Sequence, residues 1–308
     1  MSSGVVLARA GSTYRVHVDG REITATLRGK LKHKDDDRVV VGDVVELDLE
    51  SPDSGAITGI TPRKSVLERR AAGQGASRAQ PIAANVDQVL VVVSARDPEP
   101  TPRMIDRFLI IAEANHLPAI VVVNKAELDR DAGPALATRY QAAGYPVLFT
   151  SVKAVEGLEE LERALRGRET VLAGQSGVGK SSLLNAIEPG LKLRIGAISE
   201  KWRTGKHTTT AAELIPLKAG GYVVDTPGMR EVGAWGIEPA DLASCFPEFR
   251  SFLGHCRFDN CRHLTEPSCA VRRGAEEGAF PADRLVSYER LYEELNVPSW
   301  SSGRRRGS

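Results

Sequence analysis

The sequence predicts a multidomain α/β protein: a small β-barrel first, then a parallel sheet with helices on both faces, then a helical module. Three observations predict it. Residues 4–60 alternate apolar and polar in short runs broken by Gly and Asp, the spacing of a small antiparallel barrel. From residue 82 the runs become continuously apolar, as in Val89-Leu90-Val91-Val92-Val93, which suits strands covered on both faces. Near the C-terminal end, three cysteines and a histidine crowd into one segment ahead of a helical pattern at Leu285, Tyr288, Leu291 and Leu295.

Length and charge bound the function. The chain has 308 residues, room for two or three domains. Its 41 basic and 40 acidic residues exclude a uniformly polycationic nucleic-acid binder, although local patches survive such a sum. No apolar run approaches the ~20 residues that span a bilayer. Met1-Ser2-Ser3-Gly4-Val5 lacks a charged region followed by an apolar one, so the expectation is a cytoplasmic protein. In that compartment the four cysteines are better metal ligands than disulfide partners.

The barrel strands read as Val5-Val6-Leu7, Tyr14-Arg15-Val16-His17-Val18, Ile23-Thr24-Ala25-Thr26-Leu27 and Val44-Val45-Glu46-Leu47. Between them, Lys30 to Arg38 is a mixed-charge loop, either a solvated hairpin tip or an RNA contact on an oligonucleotide-binding (OB-type) barrel. Residues 63–81 read as a basic linker: Arg63, Lys64, Arg69, Arg70 and Arg78 outnumber Glu68. That segment is either a connector or a contact for a phosphate backbone. Thr101-Pro102 then opens a helix with Ile105, Phe108, Leu109 and Ala112 at helical spacing. Ala119–Val123 is a second buried strand, residues 131–143 a helix, Val147–Thr150 a third strand and Leu158–Leu165 another helix.

The chemistry centres on Gly174-Gln175-Ser176-Gly177-Val178-Gly179-Lys180-Ser181-Ser182. It follows the apolar Val171-Leu172-Ala173 and precedes Leu183, Leu184 and Ile187 at helical spacing. Strand, glycine-rich loop and helix in that order form a triphosphate cradle. Backbone N–H groups face one anion, Lys180 adds a full charge, and the Ser181 hydroxyl is placed for Mg²⁺. Downstream, Tyr222-Val223-Val224 is a strand ending in Asp225-Thr226-Pro227-Gly228. Asp225 is positioned to hold Mg²⁺ through water, and Gly228 to offer its N–H to a γ-phosphate. Thr208, Thr209 and Thr210 lie between the two motifs, where a loop would supply another hydroxyl to Mg²⁺. Any of the three fits, and Thr208 is favoured. Upstream, Asn124-Lys125-Ala126-Glu127 closes a strand where ligands of doubly wound sheets bind. A carboxylate there accepts from the N1–H and exocyclic amine of guanine, a donor pair that adenine lacks.

With those motifs the sequence resembles the small-ribosomal-subunit-dependent, circularly permuted GTPases of the RsgA (YjeQ) family. In ordinary GTPases the phosphate loop comes first and the base motifs last. Here Asn124–Glu127 and the Ser151-Val152 loop precede the phosphate loop, and the Gly205-Lys206-His207-Thr208-Thr209-Thr210 stretch and Asp225–Gly228 follow it. The resemblance spans essentially the whole chain. It implies a domain plan of an OB-type RNA-binding barrel at 1–62, the linker at 63–81, a circularly permuted P-loop GTPase at 82–233 and a zinc-binding helical domain with a basic tail at 234–308. It also implies conversion of GTP and water to GDP and phosphate, slowly until the small ribosomal subunit stimulates it, with hydrolysis coupled to release during late assembly. The partners implied are GTP and GDP, the 30S subunit and its rRNA, with no membrane and a monomeric chain.

Three positions depart from ordinary GTPases. Glu127 replaces the usual Asp and shifts the carboxylate by one methylene. Val152 replaces an Ala where the contact is mainly backbone. Met229 follows the Asp225–Gly228 motif where Ras-like enzymes place a water-orienting Gln, and a thioether cannot orient water. His207 is the internal candidate for that task, against the alternative of an exposed loop histidine without a role. The candidate catalytic residues are therefore His207, Thr208 and Lys180.

Cys256, Cys261, His263 and Cys269 lie within fourteen residues and suit a closed, tetrahedral, structural Zn²⁺ site. A disulfide or inert buried thiols are the alternatives. The family pattern C-x4-C-x-H-x5-C is matched at every ligand. His255 is a strained substitute, Cys245 beside Phe246 reads as core, and the Gly303-Arg304-Arg305-Arg306 tail either touches RNA or solubilises the end. Two rival functions stand beside the enzyme cycle. One is a GTP-dependent RNA-binding switch whose hydrolysis is incidental. The other is a metabolic P-loop phosphotransferase, against which Asn124–Glu127 argues.

Overall fold

The structure, a computed structural model, describes residues 2–29, 39–69, 80–191, 212–225 and 237–296. The Lys30–Arg38 loop, Arg70 and Arg78, the Gly205–Thr210 stretch, Gly228 with Met229, and the arginine tail lie outside the described residues.

Five strands close the N-terminal barrel: β1 (Ser2–Ala10), β2 (Thr13–Val18), β3 (Arg21–Leu27), β4 (Val44–Ser51) and β5 (Ser54–Ile60), in the order β1-β2-β3-β5-β4. β3 pairs parallel with β5, and β1 pairs antiparallel with β4 to complete the closure. Alternation decides which side chains fill it. Tyr14, Val16 and Val18 turn inward and are buried, whereas Arg15 between them is exposed. Leu7 faces the other way, yet is fully buried, because it enters the core of the next domain.

The segment expected to be a linker contains a two-stranded antiparallel sheet, β6 (Val66–Arg69) with β7 (Gln80–Ala84). Its arginine content suggested a solvated connector. Leu67 within it, and Ala83 and Ala84 just beyond it, are fully buried.

Six strands follow: β8 (Gln88–Ser94), β9 (Ala119–Asn124), β10 (Val147–Thr150), β11 (Glu169–Ala173), β12 (Glu213–Pro216) and β13 (Tyr222–Asp225), in the order β10-β9-β8-β11-β13-β12. All pairings are parallel except that of β12 with β13. On one face α1 (Pro102–Ala114) and α2 (Ala132–Ala142) bury Ile105, Phe108, Leu109 and Tyr140 against Val89, Val91 and Val121. On the other, α3 (Leu158–Leu165) and α4 (Lys180–Ile187) bury Leu161, Leu165, Leu183 and Leu184 against Leu90, Val92 and Leu172. The uninterrupted apolar run of β8 thus serves two cores at once, odd positions on one side and even on the other.

The C-terminal module packs two 3₁₀ turns, Leu242–Cys245 and Pro247–Phe249, with α5 (Ala270–Glu276) and α6 (Ala282–Asn296). Its centre is aromatic. The Phe246 and Phe249 rings stack at 4.9 Å, and Tyr288 meets both edge-on at 5.5 and 5.4 Å, each pair adding about 1 kcal/mol beyond area burial. Cys245 lies in this core, as expected, and Ile110 of α1 joins it from the neighbouring domain.

Candidate functional site

β11 occupies the middle of the sheet and delivers residues 174–179 to the C-terminal end of its strands, where the loop must turn sharply into α4. Two glycines make the turn possible. Gly174 has φ +140°, and a Cβ there would lie 2.1 Å from the Val92 carbonyl oxygen. Gly179 has φ +99°, and a Cβ there would lie 2.3 Å from Asn124 Nδ2. Val178 is buried, which anchors the loop, while Ser176 and Gly177 are exposed at its crown. Lys180, only 5% exposed, folds back so that Nζ donates to the carbonyls of Gly174 and Gln175, both at 2.7 Å. Ser181 is buried in the first turn of α4 and Ser182 half-buried.

The upstream motif reaches the same loop from β9. Asn124 is buried; its Nδ2 donates to Val178 O at 2.8 Å, and its Oδ1 accepts from Thr150 Oγ1 at 3.1 Å. Lys125 adopts φ +57° and donates from Nζ to Asp97 O. Ala126 opens the 3₁₀ turn Ala126–Leu128. Within it, Glu127 Oε2 is buried and, among the described residues, has no hydrogen-bond partner. A buried acceptor costs free energy unless a donor meets it, and the N–H pair of a guanine is such a donor. From β10, Ser151 exchanges backbone hydrogen bonds with Glu156 at 2.9 and 3.0 Å and accepts from Ala154 N on its Oγ at 2.8 Å. That closes a tight loop around half-buried Val152.

Asp225 ends β13, which runs parallel beside β11 with Val224 opposite Val171. The backbone therefore brings Asp225 to the same end of the sheet as Gly174. Its side chain, like His207, Thr208, Thr209 and Gly228, lies outside the described residues.

The second cluster is in the C-terminal module. The ligand atoms of Cys256, Cys261, His263 and Cys269 all lie within 4.8 Å of one another. Cys256 Sγ is 3.5 Å from His263 Nδ1 and 3.9 Å from Cys269 Sγ, and Nδ1 to Cys269 Sγ is 3.4 Å. Metal–sulfur bonds near 2.3 Å at tetrahedral angles separate ligands by about 3.8 Å, so the set fits a metal ion. None of the four cysteines is disulfide-bonded, and His255 is not part of the group. Burial pushes the Cys261 thiol up to about 12, with Cys269 and Cys256 adding to the rise, and burial lowers His263. A cation at the centre is what would let thiolates stand so close together. The support is specific. Ala270 N donates to Cys256 Sγ at 3.3 Å, and Tyr288 OH donates to Arg262 O at 2.6 Å. Burial works against the charge of Glu266, yet backbone amides including those of Arg262, Leu264 and Thr265 hold its carboxyl down at about 2, stiffening the ligand loop.

Sequence reasoning missed the junction between the domains. Arg284 of α6 and Asp106 of α1 are both fully buried and ion-paired. Arg284 also pairs with Glu248, and its guanidinium lies 4.8 Å from the Phe246 ring centroid. Tyr140 and Arg139 of α2 donate to Asp106 at 2.9 and 3.2 Å. The only signal in the sequence was an acid on the apolar side of α1, between Ile105 and Phe108.

A phosphate loop on the central strand of a parallel sheet, with the base-side strands β9 and β10 earlier in the chain, defines a circularly permuted P-loop GTPase. Two solved structures share that arrangement. YjeQ from Thermotoga maritima superposes with a TM-score of 0.81 at 37% identity, covering 96% of this chain and 99% of that one. YloQ, described as a circularly permuted GTPase, superposes with a TM-score of 0.75 at 32% identity, covering 96% and 95%. A family model for the RsgA GTPase matches residues 60–235, and the chain belongs to that family. The small ribosomal subunit biogenesis GTPase RsgA of Gemmatimonas aurantiaca is 48% identical over 300 residues, covering 96% of this chain and 97% of the relative. The protein of the same name from Moorella thermoacetica is 39% identical over 292 residues, covering 95% and 97%.

Proposed function

We propose that this GTPase binds the small ribosomal subunit late in its maturation and leaves when GTP is hydrolysed. The names of its relatives support the partner. The base side of the site supports the nucleotide. The single observation that carries the nucleotide reading is the buried Glu127 Oε2, unpartnered among the described residues and held on the motif that Asn124 ties to the phosphate loop.

In this reading residues 174–182 cradle the phosphates, and Lys180 leaves its two carbonyls to meet the β- and γ-phosphate oxygens. Asn124, Lys125, Ala126 and Glu127, with Ser151 and Val152, hold guanine. Ser181, Thr208 and Asp225 would hold Mg²⁺, which would supply neutralisation of the phosphate charge. Gly228 donates to the γ-phosphate, and Thr208 and Thr209 close over it. Water attacks the γ-phosphorus, the bond to the bridging oxygen breaks, and GDP and phosphate depart. Met229 leaves that water unoriented, so hydrolysis is slow until His207 or the ribosomal partner aligns it. Positioning of this kind is worth orders of magnitude in rate. Cys256, Cys261, His263 and Cys269 would hold one structural Zn²⁺, since no ligand position remains for water. The domain limits at 62, 81 and 233, a cytoplasmic location and a monomeric chain belong to the same proposal. Among the described residues no helix is long and apolar enough to cross a membrane.

The test is GTP hydrolysis by the full chain with and without purified small subunits, with ATP as competitor. Stimulation by small subunits, insensitive to excess ATP, is expected. A rate unchanged by subunits would remove the ribosome-coupled cycle, and effective competition by ATP would remove the guanine assignment.

A further inference from the structure

Helix α1 stands between the phosphate loop and the metal-bearing module and packs against both. At its N-terminal end the chain from Ser94 to Thr101 forms a strap across the nucleotide site. Ser94 Oγ donates to Pro98 O at 2.6 Å, Asp97 O receives Lys125 Nζ, and Pro98 packs 3.6 Å from where a side chain on Gly177 would begin. Met104, Ile105 and Phe108 of α1 line one small cavity, of about 10 Å³, together with Gly174, Gln175 and Val178 of the phosphate loop. Two residues beyond Met104, Asp106 meets Arg284. One turn along α6 from Arg284, Tyr288 holds the carbonyl of Arg262 between the metal ligands Cys261 and His263.

These contacts form an unbroken path from Lys125 and Gly177 to the metal loop. Its joint is unusual in kind. An apolar patch would let α1 slide or tilt at small cost, whereas two buried opposite charges tolerate little displacement, because neither can find water. The pair is also over-determined: Tyr140, Arg139 and Glu248 each bond one of its members.

We propose that Asp106 and Arg284 are positioning residues for nucleotide binding. The metal-bearing module, through this pair, sets the register of α1 and therefore the seat of the strap against Lys125 and the phosphate loop. The inference rests on the nucleotide reading given above. Because binding couplings are reciprocal, nucleotide in the site must also steady α6 and the metal loop.

The experiment uses the full chain and a fluorescent GDP analogue. Arg284→Met should weaken GDP about tenfold while metal content stays at the wild-type value. Tyr140→Phe keeps the packing and removes only the hydroxyl, which bonds Asp106 at 2.9 Å and reaches Pro102 O at 3.3 Å. It should weaken GDP in the same direction by a few-fold, and it carries the test if Arg284→Met does not fold. As a readout that a merely structural pair would not move, GDP should slow amide exchange in residues 256–263 and 284–292 of the wild type, and less so in Tyr140→Phe. Wild-type GDP affinity in the folded variants, or exchange in α6 indifferent to GDP, would overturn the assignment. A wild-type chain that fails to bind GDP would instead overturn the nucleotide reading beneath it.

Discussion

Asn124 Nδ2 donates to the carbonyl oxygen of Val178 at 2.8 Å, across 54 positions of sequence. The base motif and the phosphate loop are thereby one rigid unit, although the chain makes them on separate strands. Asn124→Ala removes this bond and the one from Thr150, leaving buried partners unmet at about 1–3 kcal/mol each. GDP affinity should fall by one to two orders of magnitude in a fluorescence titration. An affinity within about threefold of wild type would contradict the bracing role.

Gly179→Ala attacks the same contact from the other side. The new methyl would meet Asn124 Nδ2 at 2.3 Å with φ +99°, and Asn124 cannot retreat without releasing Val178. Left-handed backbone alone costs an L-residue about 1–2 kcal/mol. Thermal stability should drop and GDP binding should be lost; a variant that melts and binds like wild type would show that the loop yields.

Removing the metal should undo the C-terminal module first. Cys261→Ser, or treatment with a strong chelator, is expected to abolish metal content and lower the melting temperature. Loss of the cation leaves a ligand loop whose remaining support includes the Tyr288, Arg272 and Glu266 hydrogen bonds. The aromatic core around Phe249 should loosen with it, visible in near-ultraviolet circular dichroism. Unchanged melting after verified metal loss would deny the ion a structural role.

Stability should also fall with pH at Glu169, at the start of β11. Burial, reinforced by Asp87, raises this carboxyl from an ordinary 4.5 to about 8, and among the described residues its Oε2 has no hydrogen-bond partner. Between those values the folded chain keeps a proton that the unfolded chain has released. The contribution is complete below the window and is lost as pH rises to about 8, by at most about 1.4 kcal/mol per unit. Glu169→Gln should flatten that slope in denaturant titrations at pH 6, 7 and 8; equal slopes would refute the assignment.

The sequence disclosed elements whose cause is local. The apolar runs of β8 and β9, the Thr101-Pro102 helix start and the glycine-rich turn into α4 each carry their own signature. It concealed what depends on distant partners. β12 ends in a proline and is short, so only its pairing with β13 marks it as a strand. The β6–β7 hairpin hid behind its arginines, and Leu67 gave no hint of the core that receives it. Arg284 resembles any polar position on an amphipathic helix until Asp106, 178 positions earlier, is placed against it. The nucleotide motifs were readable because phosphate and base chemistry restrict residue type at fixed spacing. Charge pairing across domains imposes no such spacing.

The strand order has a consequence for the chain as it is being made. β8, β9 and β10 emerge first and can pair at once, leaving β8 as an unpaired apolar edge beside a growing polypeptide. An open edge of this kind recruits other strands and invites aggregation. It is closed only when β11 arrives, after α3, and lays the phosphate loop's own strand against it. The permutation thus makes one strand both the keystone of catalysis and the stopper of a nascent sheet. Until β11 has been made, that edge of β8 stays open.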